Sequence, residues 1–160
     1  MERIMIVGRP GSGKTTLSVK LAQKFDLPLI HLDRIFWKEG WTEMPRDEFD
    51  EVLSNELKKD RWIIDGNYGR TIPLRLEYAD TVICFDYPRL LCIWRVLKRV
   101  IQNYGKNRFD MGNGCPERFD FGFIKFVWKC PSSYEKIKNF KGDIILIRNK
   151  KDYNNYFGDL

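Results

Sequence analysis

The chain has 160 residues, 43% of them apolar and 31% charged, with a formal charge of +6. That length suits one domain with its own core, and no run approaches the ~18 apolar residues of a membrane span, so no membrane association is expected. Cys84, Cys92, Cys115 and Cys130 form no Cys-x-x-Cys pair and His31 is the only histidine, which argues against structural zinc and fits reduced thiols.

Met1-Glu2-Arg3 leads directly into the apolar run Ile4-Met5-Ile6-Val7, leaving no room for a signal peptide, so a cytoplasmic location is expected. That run reads as a buried strand. Gly8-Arg9-Pro10-Gly11-Ser12-Gly13-Lys14-Thr15 follows and matches Gly, four residues, Gly-Lys-Ser/Thr without a mismatch. From Thr16 to Phe25, the residues Leu17, Leu21, Ala22 and Phe25 recur at helical spacing. Strand, glycine loop and helix together make an anion cradle. Glycines let backbone N–H groups turn inward, and the helix N-terminus adds its positive dipole end. Gly8, Pro10, Gly11, Ser12, Gly13, Lys14, Thr15 and Thr16 are therefore the candidate binding residues for ATP. Lys14 can reach the β- and γ-phosphates, and the Thr15 hydroxyl can ligate Mg²⁺.

Leu27 to Asp33 reads as a turn and a short second strand. Ile35 to Trp41 is expected as a loop or short turn packed over the sheet's carboxyl edge. Pro45 opens a helix with the stripe Phe49, Val52, Leu53 and Leu57. Arg61 to Gly66 is the third strand, Asn67 to Arg70 a loop, and Thr71 to Tyr78 a short helix carrying Arg75. Thr81 to Asp86 is a fourth buried strand. Leu90, Ile93, Trp94, Leu97 and Ile101 then make a helix stripe, with Arg95, Lys98 and Arg99 assigned to the other face. The pattern breaks between Gln102 and Cys130, where Phe119, Phe123, Phe126 and Val127 suggest one helix. A further helix is expected from Ser132 to Phe140, a fifth strand from Asp143 to Arg148, and a last helix containing Tyr153 and Tyr156.

Five strands alternating with helices indicate an α/β sheet wound on both faces. Ligands in such sheets sit beyond the carboxyl ends of the strands. Gly8 to Thr15, His31 to Asp33, Asp65 to Arg70 and Asp86 to Arg89 all fall at that edge.

The glycine loop, His31-Leu32-Asp33, Trp62 to Tyr68, Ala79-Asp80-Thr81-Val82-Ile83, Pro88-Arg89 and Glu117-Arg118-Phe119-Asp120 resemble the bacterial topology modulation proteins, across nearly the whole chain. The layout is also similar to adenylate kinase and other small nucleoside and metabolite kinases. That resemblance implies a P-loop NTPase fold, a three-layer sandwich with a five-stranded parallel sheet in the order 2-3-1-4-5. It also implies a single domain over 1–160, with a lid-like segment at about 102–130 between the fourth helix and the fifth strand. The family name implies an effect on DNA supercoiling, whereas the fold implies phosphoryl transfer.

Asp65 ends a hydrophobic strand beside the glycine loop, where a carboxylate can hold Mg²⁺ directly or through water. The resemblance makes Asp33 a general base or substrate anchor. His31 is a substrate contact or a hydrogen-bonded strand residue. Arg95 and Arg99 lie four apart on one helix face, where guanidinium groups can stabilise the charge of a transferring phosphoryl group. Arg118 in the lid-like segment is a similar catalytic candidate. Arg70 and Arg75 could clamp an anionic acceptor, and Asn67 and Tyr68 could hydrogen-bond it. Trp37 and Trp41 either wall the acceptor pocket or pack the loop.

Two functions follow. The first is an ATP-dependent small-molecule kinase, with Lys14, Asp33, Arg95, Arg99 and Arg118 catalytic and a small-molecule phosphate acceptor. The second is a nucleotide-gated regulator that binds DNA, which the positive charge and the basic–aromatic interleaving of residues 106–129 permit.

Overall fold

Residues 1–158 are described by the structure, a computed structural model. In chain order the first half comprises β1 (Arg3–Gly8), α1 (Lys14–Phe25), β2 (Leu29–His31), α2 (Leu32–Phe36), β3 (Trp37–Lys38), a 3-10 turn (Glu39–Trp41), β4 (Thr42–Glu43) and α3 (Arg46–Leu57). The second half comprises β5 (Trp62–Asp65), α4 (Ile72–Tyr78), β6 (Thr81–Phe85), α5 (Arg89–Asn103), α6 (Phe121–Lys129), α7 (Tyr134–Ile137), β7 (Asp143–Ile147) and α8 (Lys150–Phe157).

The apolar runs form one five-stranded sheet ordered β2-β5-β1-β6-β7, with every pairing parallel. Counting only its own strands, this is the 2-3-1-4-5 order expected from the sequence. β1 occupies the centre because Ile4, Met5, Ile6 and Val7 are apolar on both faces, and all four are fully buried. Alternation divides them. Ile4 and Ile6 join Leu17, Leu21, Val96, Val127 and Phe157 on one face. Met5 and Val7 join Leu32, Phe49, Leu53, Leu57 and Ile137 on the other. Each such side chain contributes about 1.5–3 kcal/mol on leaving water. The result is a three-layer sandwich.

Several expectations need correction. The second strand stops at His31, and Leu32–Phe36 turns into a helix rather than continuing extended. The stretch expected as a loop folds as that helix plus a small antiparallel hairpin pairing Trp37 with Glu43 and Lys38 with Thr42. Gly40 at φ +70° permits the reversal. The helix expected from Ser132 to Phe140 is the short α7.

The largest correction concerns α5. The predicted stripe lies mostly outward: Leu90 is 71%, Trp94 58% and Ile101 79% exposed. Cys92, Val96 and Val100 are buried instead. The glycine loop sets this rotation. A Cβ on Gly11 would run into the Cys92 carbonyl and the Val96 side chain, so the helix meets the loop on that face. The same rotation swings Arg95 and Arg99 to the loop's side.

After α5, residues 104–120 form an irregular segment braced by an Asn107–Pro116 bridge, and α6 follows. Of the four apolar residues expected to make a helix core here, Val127 is fully buried and Phe123 partly so. Phe119 precedes the helix, and both it and Phe126 are exposed.

Val96→Ala is expected to lower stability by about 2 kcal/mol through lost burial, and Ile101→Ser by less than ~0.5 kcal/mol. Urea-denaturation midpoints of the two variants check the assignment of faces.

Candidate active site

The glycine loop runs from the end of β1 to the start of α1. Gly8, Gly11 and Gly13 take φ of +144°, +78° and +104°. A Cβ on Gly8 would sit 2.5 Å from the Phe85 carbonyl oxygen, so the loop is pressed against β6 as well as α5. Arg9 clamps it from behind. Its buried guanidinium donates to Asp86 Oδ1 at 3.0 Å and to the carbonyls of Cys130 and Tyr87. Ser12 Oγ is buried without a hydrogen-bond partner among the described residues. An orphaned buried hydroxyl in a glycine loop at a helix N-terminus fits a phosphate oxygen. Lys14 Nζ donates to the Arg9 carbonyl at 3.0 Å. Burial lowers its pKa, while the Asp65 and Asp33 carboxylates pull it back up.

Two acids stand at neighbouring strand ends. Asp65, the last residue of β5, accepts from Ser18 Oγ at 2.7 Å. His31 Nδ1 lies 3.1 Å from the same oxygen, within ion-pair distance but without hydrogen-bond alignment. Burial works against charge on His31, yet Asp65, helped by Asp110 and Asp33, raises its pKa above the ordinary value. Asp33, in α2, accepts from the Tyr68 hydroxyl at 2.7 Å. Burial raises its pKa, and the Tyr68 hydrogen bond and Lys14 restrain the rise.

The segment 104–120 lies over the loop. Thr15 Oγ1 donates to Asp110 Oδ2 at 3.1 Å. Arg108 donates to both oxygens of Asp110 and to Glu117, and Arg99 donates to the other Glu117 oxygen. The segment also docks on the small hairpin. Gly40 N–H donates to the Gly114 carbonyl, Trp41 Nε1 donates to the Pro116 carbonyl, and Gly112 packs on the Trp37 carbonyl. A cleft of about 2000 Å³ runs beneath it, from Lys150 and Tyr153 past the glycine loop to Asp33, Trp37 and Tyr68.

No protein-family model matches the chain. It is 27% identical over 109 residues to an adenylate kinase of Clavibacter michiganensis subsp. michiganensis, a stretch covering 66% of this chain and 53% of that protein. The chain spans about half the length of the curated relatives it matches. A shikimate kinase from Bacteroides thetaiotaomicron superposes with a TM-score of 0.51 at 17% identity, covering 96% of this chain and 92% of that one. The fold is that of a P-loop NTPase.

The P-loop residues Pro10, Gly11, Ser12, Gly13, Lys14, Thr15 and Thr16 all line the cleft, whereas Gly8, the last residue of β1, is not part of its lining. Asp33, Trp37, Asp65, Asn67, Tyr68, Arg95, Arg99 and Arg118 join them. Arg95 donates to the Ser12 carbonyl at 3.2 Å and covers the Tyr87 ring. Arg118 lies over the Trp41 ring. Asn67 is held by Ser133, whose hydroxyl donates to its side-chain oxygen at 2.7 Å.

Three candidate substrate residues lie elsewhere. Arg75 is fully buried and donates to the carbonyls of Gly66, Asn67 and Tyr68. It shapes the loop that carries Asn67 and Tyr68 rather than contacting an acceptor. Arg70 makes a two-pronged pair with Asp50 on the outer surface, where both are about half exposed. His31 sits against Asp65 and the edge of Phe109, outside the cleft lining. In the sequence Arg108 stands only among the basic residues interleaved with aromatics, and no pattern marks a partner for Arg9 or Asp110. Their roles come from partners far along the chain, which no local spacing announces.

Two tests follow. Arg75→Ala should cost about 3 kcal/mol of stability, because several buried carbonyls lose their donor. A residue serving only the substrate would leave the melting temperature unchanged. The His31–Asp65 pair should contribute fully below the unfolded histidine pKa of 6.5. Because the folded value is raised, that contribution is lost as pH rises through it. The stability gap between the native chain and His31→Gln, measured by thermal unfolding from about pH 5.5 to about pH 8.5, should therefore shrink with rising pH.

Proposed function

We propose that the chain is an ATP-dependent phosphotransferase that moves the γ-phosphoryl group to a hydroxyl of a small molecule. One observation carries this reading. A single cleft holds a P-loop with an unpartnered Ser12 hydroxyl and, across Lys14, the Asp33 carboxylate bound by Tyr68. The adenylate kinase relative and the shikimate kinase fold support it.

In this reading the loop amides and Lys14 bind the β- and γ-phosphates, and Asp33 orients the acceptor hydroxyl and takes its proton. The raised pKa of Asp33 brings its proton affinity nearer to that task. Arg95 and Arg99 stand beside the loop, where charge spreads over the transferring group. Arg108 joins them as a lid arginine, and residues 104–120 with α6 act as the lid that excludes water. Thr15 would hold Mg²⁺, with Asp65 and Asp110 nearby. Their donors are all oxygen, which suits that ion. When bound, it neutralises phosphate charge.

The basic residues Lys14, Arg95, Arg99, Arg108 and Arg118 converge on the cleft. That distribution favours phosphate handling over duplex binding as the use of the net charge. No specific observation favours the DNA-topology reading.

Lys14→Met and Asp33→Ala should each lower acceptor-dependent ADP release at least ~100-fold. A coupled ADP assay with folding checked by circular dichroism measures this. Turnover retained in Lys14→Met would refute the reading.

A further inference from the structure

Arg99 on α5 and Arg108 in the segment over the loop both line the cleft, and one carboxylate joins them. Arg99 Nη2 donates to Glu117 Oε1 and Arg108 Nη1 to Glu117 Oε2, each at 3.1 Å. The Glu117 side chain is only 7% exposed, so its charge acts on these two groups with little screening by water. Its backbone is fastened as well. The Glu117 N–H donates to the Lys106 carbonyl, and the Glu117 carbonyl accepts from the Gly105 N–H, which sets the residue beside the chain just past the end of α5.

The two arginines are committed to different degrees. Arg108 donates from Nε and Nη2 to Asp110 and from Nη1 to Glu117, so every nitrogen of its fork is engaged. Arg99 makes one side-chain hydrogen bond among the described residues, the one to Glu117, and its Nε is buried with no partner. Its own helix offers no alternative. α5 carries Arg89, Arg95, Lys98 and Arg99 and no acid, so no carboxylate stands one turn away. Burial and then the charge of Arg108 work against the Arg99 guanidinium and lower its pKa, while Glu117 offsets part of that. Two like charges so placed move apart unless an anion stands between them.

We infer that Glu117 is a positioning residue: its carboxylate holds Arg99 beside Arg108 so that the unengaged donors of Arg99 meet the γ-phosphate. The inference rests on the phosphotransferase reading above and deepens it. In this role Glu117 acts through Arg99. Fixing a long, flexible side chain in one orientation removes the ordering cost that phosphate binding would otherwise carry. Arg108 is the brace on the other oxygen of the same carboxylate, itself anchored by Asp110.

The test uses the full chain and two probes, ADP and the β,γ-imido analogue of ATP, each with Mg²⁺. Calorimetric Kd values for the pair give a γ-phosphate preference that needs no acceptor. Glu117→Gln keeps the size of the side chain and removes its charge. It should lower the preference about tenfold, and Arg99→Met should lower it at least as far. In the Arg99→Met chain, adding Glu117→Gln should change the preference less than about twofold, because the side chain through which Glu117 acts is already gone. Amide exchange over residues 104–120 reports separately whether the segment has loosened. A carboxylate that merely staples the segment would raise that exchange and leave the native preference in place, and this result overturns the inference. Losses that multiply in the double variant overturn it too, as does native preference in Arg99→Met. If Glu117→Gln does not fold, Glu117→Asp carries the same cycle with the charge on a shorter arm. A loss of at least about threefold that vanishes in the Arg99→Met chain then supports the inference, and no loss overturns it. A native chain that binds the two probes equally overturns the role of both residues and leaves nucleotide binding standing. A native chain that binds neither probe overturns the phosphotransferase reading itself.

Discussion

Gly8 and Gly11 sit where a side chain would strike the Phe85 and Cys92 carbonyls. The loop between them therefore lies flush against the end of β6 and the first turns of α5, and this contact organises the rest of the cleft. It leaves residues 11–15 lining the cleft. It also rotates α5 so that Cys92 and Val96 face inward and Arg95 reaches the Ser12 carbonyl. Arg9 reinforces the arrangement from the opposite side through Asp86 and the carbonyls of Tyr87 and Cys130. A backbone this close to its neighbours has little freedom, which is the preorganisation that phosphate binding and transition-state stabilisation both use.

A second network depends on the first. Arg99, Glu117, Arg108, Asp110 and Thr15 form a continuous chain of charge-assisted contacts from α5 through the irregular segment to the loop. Within residues 104–120, Lys106, Arg108 and Arg118 balance Asp110, Glu117 and Asp120, so the segment rests over a cationic loop without adding net charge of its own. Such partly buried pairs add less to stability than their distances suggest, because desolvation offsets the attraction. Their larger effect is on register. The segment has almost no regular secondary structure, and these pairs, with the Gly112 and Trp41 contacts to the hairpin, determine where it lies.

The two acids at the strand ends illustrate how environment separates similar groups. Asp65 is tied to Ser18 and His31 at the base of the cleft, whereas Asp33 meets only the Tyr68 hydroxyl. Tyr68 itself sits at φ +23°, an unusual backbone for a bulky residue, and Arg75 holds the carbonyls around it. A buried arginine that the sequence offers as a clamp for an anionic acceptor thus serves as the scaffold that presents a tyrosine to an acid.

The sequence by itself determined the sheet and the loop. Five apolar runs too short for helices, separated by helical stripes, leave few packings other than a covered parallel sheet. The glycine pattern after β1 announces its own backbone shape, because only glycine tolerates those φ values. These are local signals, carried by residues close together in the chain. The face that α5 buries, the separation of Arg70 and Arg75 from the cleft, and the union of Thr15 with Asp110 were decided by tertiary structure alone. An amphipathic helix rich in both leucine-type residues and arginine has more than one face it could bury. A cation takes whichever carboxylate or carbonyl the fold brings within reach. Those outcomes depend on contacts between residues as far apart as Thr15 and Asp110, and no spacing along the chain encodes them.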